Sequence, residues 1–302
     1  MVFSRLFFIY LFFPICFLCY FATKKTSYRN AVLIVFSLLF YACGDISFLW
    51  LVVASALVNF VLGRGIDKFR DKAPAKAFLA LGLVLNLGTL VGFKYTGFFI
   101  ENLNNWFSLS IPVPDLPLPL GISFYTFQTL SYSIDVYRRD VKAERNIIDF
   151  GAYVVMFPQL IAGPIVKYRD VSNQLHVYRH RYSLQQLEEG MTLFTFGLAK
   201  KVLLADAIGA LWTDIIGVAD SPSTTFVGLA NASTPLVWLG VIAYSLQLYF
   251  DFSGYSMMAI GMGKMLGFDF PQNFNFPYIS RSITEFWRRW HMTLSGWFRE
   301  YV

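Results

Sequence analysis

Charged side chains are scarce in this chain of 302 residues, of which Asp, Glu, Lys and Arg make up only 15%. Soluble domains carry about 25% of these residues, so ionised groups cannot cover the surface of this chain. Hydrophobic residues make up 56% of it, and its mean hydropathy is +0.51. This composition excludes soluble enzymes, disordered proteins and disulfide-rich scaffolds. It predicts an all-α, polytopic integral membrane protein surrounded by the lipid bilayer.

Histidine and cysteine are also rare, with three of each. The cysteines lie in or beside apolar stretches, where they are interpreted as small packing residues. His176 and His180 lie four residues apart and could share a metal ion, but Arg179 and Arg181 beside them would repel a divalent cation. We therefore predict a basic interfacial stretch and no metal site. The net charge of +6 is assigned to cytosolic loops and not to a nucleic-acid partner.

Long apolar stretches are the main feature that is present. Several approach the ~20 residues that a membrane-spanning helix requires. They predict spans or half-spans at residues 6–22, 31–42, 46–62, 77–93, 118–137, 147–163, 192–211 and 235–261. Because no internal repeat or low-complexity linker interrupts the sequence, residues 1–302 are expected to form a single domain.

The distribution of Lys and Arg predicts which loops face the cytosol. With the N-terminus outside, the cytosolic loops carry 17 basic residues and the outer segments carry two. This asymmetry is typical of the positive-inside rule. The predicted cytosolic loops are 24–30, 64–76, 138–145 and 264–299, and the outer segments are 1–5, 44–45, 94–117 and 217–234.

The stretch 147–163 does not fit a simple crossing, because a full span would place the basic segment 164–182 outside. Two prolines and a glycine interrupt residues 157–164. Irregular backbone at membrane depth is tolerated only where it is buried in protein or lines a cavity. We predict that 147–164 is re-entrant and returns to the cytosolic side. Four prolines before residues 121–128 indicate a second broken segment.

Polar residues within the last apolar stretch fall at helical spacing. Tyr244, Gln247, Asp251 and Tyr255 are three or four residues apart, which predicts one polar stripe facing the bundle interior or a water-filled path. The stripe could be a hydrogen-bond network between helices or a substrate path. Asp251 is its ionisable member, and ionisable residues inside membranes are usually functional.

The sequence after residue 281 has the spacing of a helix start. Ser282 and Glu285 match a capping box, and Glu285 can reach Arg288 or Arg289 one turn later. We favour an ion pair with one of these arginines, while the other could bind phosphates of a donor.

A histidine lies further along the same predicted helix. Trp287, Arg288, His291 and Ser295 are expected to share one face. A neutral imidazole at position 291 could accept a proton from a hydroxyl, since its ordinary pKa is near 6.5. The alternative is a structural histidine at the membrane interface.

Several long strings resemble the membrane-bound O-acyltransferase family, in particular its alginate-type bacterial branch. They occur along the whole chain in the family's order. The strings are GISFYTFQ (121–128), FPQLIAGPI (157–165), GLAKK (197–201), YFDFSGY (249–255) and FPYISRSITEFWRRWH (276–291).

The resemblance implies a core of tilted and re-entrant helices around a tunnel. His291 matches one of two histidines in the family's active-site region, with Tyr244, Gln247 and Asp251 lining or bracing the path. The second histidine, in a His-Gly motif on a later apolar helix, is the family's more central catalytic residue and is implied to lie beyond Val302. The chain is therefore expected to be the N-terminal part of a longer transferase and inactive by itself.

The implied activity is transfer of an acyl group, most simply acetyl, from a cytosolic thioester to hydroxyls of an extracytoplasmic polysaccharide such as alginate. Acetyl coenzyme A or an acyl-carrier thioester would be the donor, with no resident cofactor. The resemblance also implies a bacterial plasma membrane and an extracytoplasmic acetyltransferase partner protein. D-alanyl transfer to teichoic acid, a transporter and a scaffold subunit of a polymer-modification complex remain alternatives.

Overall fold

The computed structural model describes residues 2–161, 163–176, 183–216 and 232–302, in which every regular element is a helix. Two π-helical segments, Phe8–Phe12 and Lys200–Ala205, continue directly into α-helices. The α-helices are α1 (Phe13–Phe21), α2 (Thr26–Ala42), α3 (Leu49–Lys68), α4 (Ala73–Lys94), α5 (Thr96–Phe107), α6 (Ile122–Arg138), α7 (Ile147–Val155), α8 (Phe157–Leu160), α9 (Tyr168–His176), α10 (Leu184–Ala199), α11 (Asp206–Ile216), α12 (Thr234–Leu266), α13 (Ile283–Trp287) and α14 (Met292–Tyr301).

Three of the described helices are long and apolar enough to cross a membrane, namely α3, α4 and α12, with 20, 22 and 33 residues. Shorter apolar helices occupy Phe8–Phe21 and α2. The predicted stretches 6–22, 31–42, 46–62, 77–93 and 235–261 all fall on these helices. The all-α membrane class predicted from composition is confirmed.

Two helical regions reach beyond the predicted apolar stretches. The stretch 192–211 lies within a longer helical run that begins with α10 and continues through the π-helical segment into α11. The outer segment 94–117 contains α5, an amphipathic helix whose mixed polarity hid it from a search for apolar stretches. Most of the outer segment 217–234 lies outside the described residues, as do residue 162 and residues 177–182, which include His180.

A buried polar contact holds α3, α4 and α6 together. The amides of Asn59 and Asn86 donate to each other over 3.1 and 2.7 Å, and the Thr129 hydroxyl donates to the Asn86 Oδ1 over 3.0 Å. All three side chains are buried. Interhelical hydrogen bonds of this kind contribute about 0.6 kcal/mol on average inside membranes, and here they also specify which helix faces meet.

The two broken segments of the sequence meet inside the protein. Helix α7 has nine residues and is therefore ~13 Å long, too short to cross a bilayer core of ~30 Å. The chain leaves the helical conformation at Met156, where ψ is 113°, and residues 150–160 are all buried. Gly121 has φ +70° and packs against the Leu160 carbonyl so closely that a Cβ there would overlap the carbonyl oxygen. The predicted breaks are confirmed, and the return of 147–164 to the cytosolic side stays a prediction.

Glycines allow the backbones of α10 and α12 to touch. Gly190 packs against Gly261, and Gly197 packs against Gly254, seven residues apart on both helices. A Cβ at any of the four would lie 2.6–2.8 Å from a carbonyl oxygen of the opposite helix. Small residues at such contacts are typical of helix association in membranes. This contact sets the position of α12, on which the candidate site is built.

We expect Gly254→Ala to lower the free energy of unfolding by about 1–3 kcal/mol, because two backbones must separate to admit the methyl group. Gly92→Ala in α4 is the matched control, since a Cβ there meets no atom within 4 Å. The measurement is thermal unfolding of the detergent-purified protein, together with its monodisperse yield. Equal unfolding temperatures for the two variants would contradict the packing argument.

Candidate functional site

His291 lies in a break between two short helices. Ser282 Oγ accepts the Glu285 N–H over 3.1 Å, so the predicted helix start is confirmed. The expectation of one helix running on through Ser295 was wrong: α13 ends at Trp287 and α14 begins at Met292. Between them, His291 adopts φ 43° and ψ 54°. A non-glycine residue in this left-handed region is strained, and such strain is common at functional sites.

The break separates residues that were expected to share a face. Trp287 is 50% exposed and lies on α13, while Ser295 lies on α14, where its N–H donates to the His291 carbonyl over 3.1 Å. Arg289 donates to Glu285 Oε1 over 3.0 Å, which resolves the choice of ion-pair partner. Arg288 is exposed, with no ion pair in the described part of the chain. The Arg281 N–H and Arg289 together lower the pKa of Glu285.

The imidazole of His291 is buried and uncharged. Its Nδ1 lies 2.9 Å from the Asn273 Oδ1. The Phe252 ring meets it edge-on at 4.9 Å, and Phe274 stacks at 6.5 Å. Burial lowers the pKa of His291 to about 4. At neutral pH the ring is therefore an acceptor and not a cation, the state that a general base requires.

A cavity of about 320 Å³ lies beside the Asn273 side of this site. This is near the lower limit of small-ligand pockets, which start at roughly 300 Å³. The hydroxyls of Ser253 and Ser256 are buried there without a hydrogen-bond partner in the described residues. Its lining includes Lys200, Tyr249, Ser253, Ser256, Asn273 and Phe274. The arrangement offers space and polar groups to a small ligand next to the partner of His291.

Aromatic rings attach the site to α12. Phe274 contacts Tyr249 at 6.1 Å and Trp290 at 5.1 Å between ring centroids. The Tyr278 hydroxyl donates to the Ser245 carbonyl over 2.6 Å. Sequence reasoning did not single out these residues, although Tyr249, Tyr278 and Trp290 stand within the strings that carry the family resemblance. Asn273 stands outside those strings, so nothing in the sequence pattern pointed to it.

Helix α14 is fixed against the broken segments by polar contacts. Glu300 pairs with both Lys167 and Arg169, which hold its pKa low against the opposing effect of burial. The Tyr301 hydroxyl donates to Asp135 over 2.8 Å, and the Trp297 indole donates to the Phe127 carbonyl over 3.0 Å. These contacts position the helix that follows His291.

The polar stripe of α12 lies on a different face from His291. Tyr244 packs on Trp212 of α11 at 4.8 Å, and Gln247 lies against Gly209 of the same helix. Asp251 pairs with Lys201 over 2.8 Å, and its side chain is 48% exposed. That the stripe faces the bundle interior or a water-filled path stays a prediction. Of the two interpretations left open, these contacts favour bracing between helices, because each side chain meets a neighbouring element.

A second polar cluster is formed by Glu144, Asp149 and His176. His176 Nε2 lies 2.6 Å from Glu144, and Asp149 lies within reach of both. The hydroxyl of Tyr168 and two backbone N–H groups donate to Glu144. Burial opposes these contacts, which nevertheless hold the pKa of Glu144 below its usual value. Both carboxylates thus already have protein donors, and His180, the other histidine of the rejected metal pair, lies outside the described residues.

Comparison with known proteins gives this site its context. Residues 138–302 match the model of the membrane-bound O-acyltransferase family. The whole chain is 45% identical to the "Probable alginate O-acetylase" of Pseudomonas aeruginosa, covering 56% of it, and 34% identical to the "Peptidoglycan O-acetyltransferase" of Helicobacter pylori, covering 61%. A "Teichoic acid D-alanyltransferase" of Bacillus subtilis is 33% identical over 70% of this chain and 54% of the relative.

The described helices define an all-α integral membrane protein. Its candidate active site, which contains the buried neutral histidine, packs against α12, the longest described helix. The match over more than half of its residues shows that the chain belongs to the membrane-bound O-acyltransferase family. It spans about 56–61% of the length of the O-acetyltransferase relatives that it matches along its whole length.

The role of the Asp251–Lys201 pair can be tested by separating charge from hydrogen bonding. Asp251→Asn keeps an acceptor for Lys201 and should fold normally. Asp251→Leu loses the contact and should lower the free energy of unfolding by at most about 1 kcal/mol, since the pair is half-exposed. Thermal unfolding in detergent, with Lys201→Met and the double variant completing a cycle, measures the coupling. Loss of all folded protein in Asp251→Leu would contradict this small value and show that the contact is essential for folding.

Proposed function

We propose that the whole protein is an O-acyltransferase that moves an acyl group, most simply acetyl, from a cytosolic thioester to hydroxyls of an extracytoplasmic polysaccharide. Family membership and full-length similarity to an alginate O-acetylase and a peptidoglycan O-acetyltransferase support this. The observation that carries it is His291, a buried and uncharged base in a strained turn next to a cavity of about 320 Å³.

The proposed step uses His291 as a general base. Its Nε2 takes the proton of the acceptor hydroxyl while that oxygen attacks the thioester carbonyl. The C–S bond then breaks, and the departing thiolate takes the proton back from the imidazolium. The products are an ester and a free thiol, so no oxidant, reductant or metal is required. Such proton transfer typically contributes 10²–10⁴ in rate.

The relatives support a proposal for the acceptor and the setting. Similarity over 100% of this chain is to O-acetyltransferases, whereas the D-alanyltransferase match covers 70%. We therefore propose acetyl transfer, with D-alanyl transfer as the alternative. The donor is proposed to be acetyl coenzyme A or an acyl-carrier thioester, the location a bacterial plasma membrane, and the partner an extracytoplasmic acetyltransferase that completes transfer to the polymer.

His291→Ala tests the proposed base in cells that express the whole protein. At matched membrane levels we expect polysaccharide esterification to fall at least about a hundredfold. If the yield of folded protein is preserved, the fall is caused by the loss of the base and not by misfolding. His176→Gln is the matched control, because it removes a histidine outside the site.

A fall of less than about tenfold in His291→Ala would assign His291 to positioning, and unchanged esterification would remove it from the mechanism. A rival transporter would move donor or sugar across vesicles without forming an ester, which the same assay detects. Esters of D-alanine in place of acetate would select the alternative substrate.

The proposed direction of transfer requires the loops 64–76 and 138–145 to be cytosolic. Single cysteines placed there in a cysteine-free background should resist a membrane-impermeant thiol reagent added to intact cells, and should react once the membrane is opened. Labelling in intact cells would show that the orientation is the reverse of the predicted one. His291 would then lie on the wrong side for a cytosolic donor. A cysteine in the segment 94–117 is the control, since it should react from outside.

A further inference from the structure

Asn273 forms several hydrogen bonds at the His291 turn, which consists of residues 288–291 between α13 and α14. Its Oδ1 lies 2.9 Å from His291 Nδ1, 3.3 Å from the Thr293 backbone N and 2.9 Å from the Thr293 hydroxyl. Its own carbonyl accepts the Met292 N–H over 2.8 Å. Asn273 is completely buried. Asn273 thus binds the His291 ring with its side chain and holds the start of α14 with its side chain and its backbone carbonyl.

The orientation of the Asn273 amide follows from its neighbours. The oxygen and nitrogen of an amide are distinguished by the hydrogen bonds that they make. The Thr293 backbone N–H can only donate, so the atom that faces it must be the oxygen. A reversed amide would bring two donors together at this point, an unfavourable arrangement in a buried site.

The oriented amide determines where His291 carries its proton. An amide oxygen only accepts, and therefore His291 Nδ1 must be the protonated nitrogen. In a neutral imidazole the other nitrogen, Nε2, then has a free lone pair. The hydrogen bond made by one ring nitrogen generally sets the role of the other. Histidine in water prefers the opposite form, with the proton on Nε2, so the site must impose this one.

Thr293 connects the amide to the broken segment after α8. The Ile165 N–H donates to the Thr293 hydroxyl over 3.0 Å. Since that hydroxyl accepts from Ile165, its own hydrogen is directed to the Asn273 Oδ1. The Ile165 N–H therefore donates to the Thr293 hydroxyl, and that hydroxyl donates to the Asn273 Oδ1. The same oxygen also accepts a hydrogen bond from the protonated Nδ1 of His291.

From this geometry we infer that Asn273 is a positioning residue that holds His291 in the form protonated on Nδ1, leaving Nε2 free to accept a proton. The inference rests on the proposed function only for its catalytic consequence. The tautomer itself is a property of the folded protein. Because Asn273 is uncharged, it orients the ring without favouring the imidazolium, unlike a carboxylate at the same place.

Among the described residues, few charged groups lie near the ring. The rings against His291 belong to Phe252 and Phe274, which do not titrate. The charged or titratable groups nearby are Lys200 and Tyr249, which line the adjoining cavity, and the pair Arg289–Glu285 at the start of the turn. A carboxylate introduced at position 273 would therefore be the closest negative charge to the ring.

The tautomer can be measured directly in the detergent-solubilised whole protein labelled with ¹⁵N-histidine. The His291 signals are identified by their loss in His291→Gln. At neutral pH we expect a protonated Nδ1 and a bare Nε2. In Asn273→Leu, which keeps the approximate volume but removes the acceptor, the proton should move wholly or partly to Nε2. A wild-type ring protonated on Nε2, or an unchanged tautomer in Asn273→Leu, would overturn the inference.

Two further variants separate positioning from simple packing. Thr293→Val loses the hydroxyl but keeps the backbone N–H that orients the amide, so the Nδ1-protonated form should persist. Asn273→Asp keeps an acceptor and adds a negative charge, which should raise the midpoint of the His291 titration by about one to three pH units from its low value. A midpoint that stays unchanged in Asn273→Asp would show that residue 273 does not act on the ring.

Activity then tests the catalytic consequence. Asn273→Leu should lower esterification at least about tenfold at matched membrane levels, since the lone pair is misplaced. In Asn273→Asp the rate should begin to fall at a higher pH as the medium is acidified, because the inactive imidazolium forms sooner. If the tautomer shifts as expected while both Asn273→Leu and His291→Ala esterify normally, the proposed function of His291 fails. If the tautomer does not shift, the positioning inference fails whatever the activity.

Discussion

The hydrogen bonds from Ile165 through Thr293 to Asn273 join the broken helix to the turn that carries His291. Inside a membrane protein, backbone groups that leave a helix must find partners in the protein. The Ile165 N–H is such a group, and it finds one in the hydroxyl of α14. The need to satisfy the broken backbone thus also determines where the histidine turn lies.

Close approach of two backbones explains several of the glycines. The start of α6 lies against the Leu160 carbonyl at Gly121. This glycine adopts a left-handed conformation and has no side chain that would prevent the contact. The glycine contacts between α10 and α12 similarly bring two long helices within backbone distance. Close approach in both places leaves little freedom for the elements between them. A rigid frame of this kind suits a site in which one ring nitrogen must face a defined direction.

The site combines an uncharged base with an uncharged orienting group. Burial lowers the pKa of His291 to about 4, so the ring is neutral at physiological pH. An amide partner orients the ring without reversing that effect, because it adds no negative charge. His291 has a strained backbone, and Asn273 accepts hydrogen bonds from the two backbone N–H groups that follow it, those of Met292 and Thr293. Orientation and neutrality are thus both supplied by burial and by one side chain.

Four features could be predicted from the sequence: the membrane class, most of the long helices, the break within 147–164 and the histidine in the family's motif. Each of them depends on local composition or on a contiguous string of residues. Tertiary structure alone decided that the helix from Ser282 ends before His291, that Asp251 is half-exposed and paired with Lys201, and that Asn273 holds the imidazole. Asn273 and His291 are 18 residues apart and belong to no common periodic element. Helical periodicity predicts which residues share a face, but only the packing of α12 and the broken segment against α14 determines where the helix stops and which side chain meets the ring.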